Sequence, residues 1–258
     1  WHCQGNLCDI LRRRGCFSEV VTLLEPELEA VREGGNWTRK ALFVLNLAET
    51  EVELLQLGRA RERVRGIIGD VDLQEHVHMR AAVGLIQARI ALVSGDHERA
   101  VSLLEPLVEN CRETGVHVMT SQLQALLGEA RVKLGGIEKG ADDLAEAVQS
   151  LQQQMHMPSL GDACAARARA MGTREDPDLS FGPVLHWMQE EPVRVLKLEY
   201  LICSARYAES CNKRERAKKI WLEAQGVYHE IAQNLVEADK EALSVHPWMA
   251  AIEQGVNI

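Results

Sequence analysis

Apolar residues recur three and four positions apart through most of the chain, the spacing that gathers them on one face of an α-helix. Leu7, Cys8 and Leu11 share such a face, which ends near Arg14-Gly15. Phe17, Val20, Val21, Leu24, Leu28 and Val31 form the next stripe, which stops at Gly34-Gly35. A second pair of helices runs from Thr38 through Leu42, Leu45, Ala48, Val52 and Leu55, with a turn expected at Gly58, and continues to Gly69. The third pair is the most regular. Ala81, Leu85, Ala88 and Leu92 lead to Gly95-Asp96, a helix stop followed by a helix cap. Ala100, Leu103, Leu104, Leu107 and Val108 then carry a helix to Gly115. In a fourth pair Leu123, Leu126, Leu127 and Leu134 precede the turn Gly135-Gly136, and Ala141, Leu144, Ala147, Val148 and Leu151 follow it.

Two spacings agree on the length of the unit. The segment Gly15–Pro26 returns 80 residues later as Gly95–Pro106, with Val-x-Leu-Leu-Glu-Pro identical in both, and the turns at Gly95 and Gly135 lie 40 residues apart. A fixed period is the signature of stacked repeats, each hairpin burying its apolar face on its neighbours. Pro26 and Pro106 fall inside helical stretches, where proline removes a backbone hydrogen bond and crowds the carbonyl four residues earlier, so a kink is expected in each.

The pattern breaks at Met155-His-Met-Pro158, and the stretch to Pro192 is rich in proline and glycine around a short helical piece, Leu160 to Met171. A strong unit then returns: Leu198, Leu201, Ile202, Ala205 and Ala208, the break Cys211-Asn212, and Ala217, Ile220, Trp221, Ala224 and Tyr228. The tail Ala238–Ile258 reads as a closing helix over the last repeat, whose outer face has no further neighbour. The expected organisation is therefore all-α: four helical hairpins over 1–155, a degenerate repeat or hinge over 156–192, and a final hairpin with a capping helix over 193–258.

Ala88, Gly95, Ala100 and Leu104 in the third unit, and Ala205, Asn212, Ala217 and Trp221 in the last, place a small residue in each helix of a hairpin around a Gly or Asn turn. Small residues at both crossings let antiparallel helices approach closely. This pattern resembles the tetratricopeptide (TPR) repeat, although these units exceed its usual length of roughly 34 residues and lack its closing proline. The chain is more similar to the extended repeats in the C-terminal arms of bacterial maltose-regulator-type activators and repeat-bearing serine/threonine kinases. The resemblance implies a right-handed superhelix (solenoid) of antiparallel hairpins. It also implies a non-catalytic arm of a larger bacterial regulatory protein that binds a ligand or a partner segment. A second implied reading is a regulatory domain controlling an attached kinase or protease.

Composition changes this picture little. Alanine, leucine, valine, glutamate and arginine dominate, aromatics are 4%, and the formal net charge is −9, an acidic balance that argues against non-specific nucleic-acid or membrane binding. No apolar run approaches the roughly 20 residues that span a bilayer. The start at Trp1, without an initiator Met or a signal peptide, reads as a piece of a longer cytoplasmic protein. Seven scattered cysteines read as reduced thiols, with Cys203 and Cys211 both expected to be buried.

Candidate chemistry is sparse. No phosphate-cradling loop, nucleophile elbow or paired metal motif occurs. His76 and His78 would face different ways on a helix. Met155-His156-Met157 offers soft copper(I)-type ligands but reads as a loop with packing methionines. No metal, cofactor or catalytic set is expected. The basic clusters Arg12-Arg13-Arg14, Arg59/Arg61/Arg63/Arg65 and Lys213 to Lys219 read as solvated turns rather than a nucleic-acid footprint. The first helix of each unit should build an inner wall carrying Arg89 and Arg206 at equivalent positions, joined by Gln122, Glu129, Lys133 and Glu199. Such a wall would suit an acidic or extended segment of a protein partner, or another domain of the same chain, because guanidinium groups grip carboxylates. Repeat arms also expose edges and terminal faces, which makes self-association a further expected contact.

Overall fold

A computed structural model describes residues 2–34, 37–70 and 76–256, and every regular element among them is helical. The α-helices are α1 (His2–Arg13), α2 (Phe17–Gly34), α3 (Trp37–Glu53), α4 (Leu57–Asp70), α5 (Val77–Val93), α6 (His97–Glu113), α7 (His117–Lys133), α8 (Ile137–Gln153) and α9 (Met157–Met171). They continue as α10 (Pro177–Phe181), α11 (Leu185–Glu190), α12 (Arg194–Ser210), α13 (Arg214–Gln233), α14 (Glu237–Ser244) and α15 (Pro247–Val256). The turn expected at Gly34-Gly35 lies partly outside the described residues, as do the last two residues of the expected closing helix. None of the described helices is long and apolar enough to cross a membrane.

Helices α5 to α8 are each 17 residues long, and the turns between them take three. The hairpin turns place Gly15, Leu55, Gly95 and Gly135 in the left-handed region, at φ 76°, 56°, 77° and 93°. These residues are spaced 40 apart. The second turn is thus centred on Leu55 and not on Gly58, which lies inside α4. The hydrogen bonds explain the shift. Leu55 N–H donates to Val52 O and Gln56 N–H to Glu51 O, the pattern that Gly95 and Asp96 make to Leu92 O and Ala91 O. Counting from the neighbouring turns locates this one; searching for glycine does not.

The same register fixes the helix crossings. Ala48 with Ala60, Ala88 with Ala100, and Gly128 with Gly140 are buried at successive 40-residue intervals, and Ala205 with Ala217 repeat the arrangement in α12 and α13. A Cβ on Gly128 would lie 2.7 Å from the Gly140 carbonyl oxygen, so these two helices meet backbone to backbone. The repeated Val-x-Leu-Leu-Glu-Pro segment has a division of labour. Leu24 and Leu104 are fully buried. Glu25 and Glu105 cross to the next hairpin, accepting from Arg63 at 2.9 Å and from Arg131 at 2.7 Å. Pro26 and Pro106 sit inside their helices on the exposed face.

Residues 156–192 begin with α9, which packs on α7, α8 and α12. The short helices α10 and α11 follow, and Phe181, Val184 and Met188 join Cys164 and Leu160 in one core with α7, α8 and α12. The tail forms two helices rather than one, and it covers more than the last hairpin. Phe17 and Leu54 from the first two hairpins share a buried cluster with Leu198, Trp221, Ile231, Leu243 and Trp248. Ser18 Oγ donates to Asp239 at 2.6 Å, Val236 N–H donates to Ser18 Oγ at 3.0 Å, and Gln56 donates to Asp239 at 3.2 Å. Gly15 leaves just enough room for Ile231, since a Cβ there would come within 2.7 Å of that side chain. The first hairpins and the last helices therefore meet along a seam.

Candidate functional site

The first helices of the successive hairpins close on themselves. α1 touches α3, α3 touches α5, α5 touches α7, α7 touches α9, α9 touches α12, and α12 touches α1. Their inward sides line a cavity of about 540 Å³. A second, of about 410 Å³, lies toward the C-terminal ends of α3, α5, α7, α9 and α12, next to the His246–Trp248 turn. The two share Glu53, Arg89, Leu126, Arg169 and Glu199, so they adjoin across a waist of these side chains, and together they make up the central channel.

Charged side chains occupy the waist in register. Asp9, Glu49, Arg89, Glu129 and Arg169 follow one another at 40-residue intervals, and Arg206 holds the corresponding position on α12. Most neighbours pair. Arg89 is hydrogen-bonded to Glu53 and faces Glu49 at 4.0 Å. Arg169 grips Glu129 through two hydrogen bonds of 2.9 Å and reaches Glu199 at 2.9 Å with its remaining amino group. Arg12 bonds Asp9 at 2.9 Å and Glu49 at 2.7 Å. Arg13 bonds Asp9 and spans the channel wall to Asp162 with two bonds of 3.0 Å. Arg12 and Arg13 are thus not solvated turn residues. They sit on the last turn of α1, whose inward face turns them into the channel, and their side chains are only 12% and 16% exposed.

The electrostatics follow from enclosure opposed by pairing. Burial pushes the Glu199 carboxyl above its ordinary range, and Arg169 offsets this only in part, with the charges of Glu53, Glu129 and Asp162 adding to the rise. Burial acts the same way on Glu53 and Asp162. There the guanidinium groups win, Arg89 first for Glu53 and Arg13 first for Asp162, and both carboxyls are held below their usual values. Burial alone would lower Arg89 and Arg169, but the surrounding carboxylates raise both. Burial, then the charge of Glu199, pushes the Cys203 thiol up to about 11, so at neutral pH it is a protonated thiol. Burial lowers His246 to about 4, and its neutral ring packs against Trp248, tilted by 40° with centroids 3.9 Å apart.

The six residues picked out on the sequence all line this channel, but not as a free gripping surface. Arg89, Glu129 and Glu199 are held in the ion pairs above. Gln122 donates to Ser159 Oγ at 2.7 Å. Lys133 is exposed and donates to the Arg169 carbonyl at 3.0 Å. Arg206 is exposed, and no carboxylate pairs with it among the described residues. The sequence reading missed Arg169, Glu49 and Asp9, which one or two steps of 40 residues from Arg89 reach.

The remaining candidates resolve simply. His76 packs against Trp37 with centroids 4.6 Å apart. Met155 is 82% exposed in a left-handed turn at φ 54°, and His156 caps α9 by accepting from Ser159 N–H. Cys203 is half-buried in the channel wall, whereas Cys211 is exposed at the turn after α12 and not buried as expected. The side chain of His2 lies outside the described residues, and among those described no group of three or more His, Cys, Asp or Glu is arranged to hold a metal. No family model matches this chain, and no curated protein matches it.

Proposed function

We propose that the chain is a TPR-like array of antiparallel hairpins, wound as a right-handed superhelix, that binds a short segment of a partner protein in its central channel. The channel lined by one helix from each hairpin is the observation that carries this reading. Its cavities fall in the size range of ligand sites, roughly 300–1,000 Å³, rather than that of a whole helix. The waist is ion-paired and acts as a rigid lining. The end near the hairpin turns differs: Lys133 and Arg206 have no carboxylate partner among the described residues, and Leu92, Ile202 and Trp248 form an apolar wall beside them. A segment carrying a carboxylate next to an apolar side chain satisfies both. In this reading the chain works as a non-catalytic, cytoplasmic interaction arm of a regulatory protein.

The test is a peptide array of acidic-apolar segments probed with the parent and with the double variant Lys133→Glu/Arg206→Glu. These two residues are chosen over Arg89 because reversing Arg89 would break its pair with Glu53 and confound binding with folding. Peptides bound by the parent and released by the double variant, with helical content unchanged, support the reading. Equal retention by both would remove it.

A further inference from the structure

We infer that the seam between the first hairpin and the last helices is the door of the channel, and that the α1/α2 hairpin swings away from α12–α15 without the rest of the chain unfolding. Two kinds of contact carry this. The apolar contribution of the N-terminal half to the seam is small: among the described residues, only Phe17 and Leu54 enter the cluster built by α12, α13 and the tail. Between consecutive hairpins, by contrast, continuous apolar clusters run from one helix pair into the next. Gly15 also lies close against the Ile231 side chain, and the remaining seam contacts are polar. Asp239 accepts from Ser18 and Gln56, and Arg194 donates to the Arg14 carbonyl at 3.4 Å; beside the seam, Arg13 reaches Asp162 of α9. Polar groups that part into water exchange one set of hydrogen bonds for another, so they resist opening far less than buried apolar surface does.

The position of the seam gives the swing its meaning. α1 supplies Asp9, Arg12 and Arg13 to the wall of the larger cavity, so moving it aside uncovers that part of the channel, while the smaller cavity is lined from Val52 onward. Asp162 then loses Arg13 and faces solvent. A small ligand can enter at an end of a narrow channel, but a segment within a longer polypeptide must be threaded or laid in from the side. The role as a door therefore rests on the segment-binding reading above, whereas the swing is a property of the chain alone and is measured without a partner.

The chain carries its own reporters. Cys16 is buried at the seam, near Glu19 and Arg194, while Cys8, Cys111 and Cys164 are buried in three other clusters. The experiment is pulsed alkylation with iodoacetamide under native conditions, followed by peptide mapping, on the parent and on Asp239→Ala. Opening at the seam labels Cys16 roughly tenfold or more faster than Cys111 and Cys164, as sub-global opening does for the segment it frees. Asp239→Ala quickens Cys16 further and leaves Cys111 and Cys164 unchanged. A bulky maleimide at a cysteine introduced by Asn46→Cys, in the wall of the larger cavity that α1 lines, should follow Cys16 in its response to the variant. One common rate for Cys16, Cys111 and Cys164 would mean that the thiols react only through global unfolding, and the inference fails. An Asp239→Ala background that quickens Cys16 but not the cysteine at position 46 would separate the seam from the channel and overturn the door. Should Asp239→Ala not fold, Gln56→Ala removes one arm of the same contact and is read in the same way, because Cys16 starts 9% exposed and the change between variant and parent is what decides.

Discussion

Gly128 and Gly226 are both helical glycines, and the same substitution should move stability in opposite directions. Replacing glycine by alanine inside a helix gains roughly 0.5–1 kcal/mol from the unfolded chain's lost freedom. At Gly226, on α13, nothing lies within 4 Å of the added methyl, so Gly226→Ala should realise that gain. At Gly128 the methyl would meet the Gly140 carbonyl oxygen at 2.7 Å, an obstacle of backbone rather than a yielding side-chain tip. Overpacking of this kind costs about 1–3 kcal/mol and outweighs the gain. Denaturant midpoints of the two variants check the pair, and a Gly128→Ala protein as stable as the parent would mean that α7 and α8 do not cross there.

At the scale of the helix, the waist depends on Arg169, one cation serving two carboxylates. Arg169→Gln leaves Glu129 and Glu199 enclosed without their partner. Removing one member of a fully buried pair costs roughly 3–5 kcal/mol. Arg169 is 37% exposed to channel water, so about 2 kcal/mol is the expected loss. Its pH dependence identifies the cause. Glu199 already titrates above its ordinary value of 4.5, so its contribution is most favourable below that value and declines as pH rises through its folded value. Without Arg169 the decline moves higher and steepens, so the variant should melt far below the parent at pH 7 and approach it toward pH 4.5. A deficit that is constant across that range would show that Arg169 acts through packing alone.

Much of this level was legible in the sequence, and the omissions have physical reasons. Ala88, Ala100, Ala205 and Ala217 mark their crossings because only small residues fit where helices touch. Leu55 hid its turn, since a leucine in the left-handed region carries none of the signals that glycine gives. Arg89, Glu129 and Arg206 were found as inward residues, but Asp9 and Arg169 were not. One lies in a first unit read without its register, the other in a stretch read as a break. What charged residues do on an inner wall depends on their lateral neighbours, which belong to other hairpins and are 40 residues away in sequence.

For the whole molecule, the meeting of the two ends was beyond sequence reasoning, because Ser18 and Asp239 are 221 residues apart and unremarkable singly. It predicts that the tail stabilises the opposite end of the chain. A protein ending at Leu235 loses α14 and α15, and with them Asp239, Leu243 and Trp248. Hydrogen exchange should then quicken at Val20 and Leu54, whose amides bond to Cys16 and Thr50 beside the seam, as well as in α13. A response confined to α12 and α13 would show the tail to be a local cover only.

An open stack of hairpins can lengthen by duplication: a copied unit slots between its neighbours and every interface remains of the same kind. Closure removes that freedom. An added or deleted 40-residue unit would carry Phe17 and Ser18 out of reach of Ile231 and Asp239 and leave both faces bare. The seam therefore makes this array count its own hairpins, and its size can change only together with the residues that join its ends.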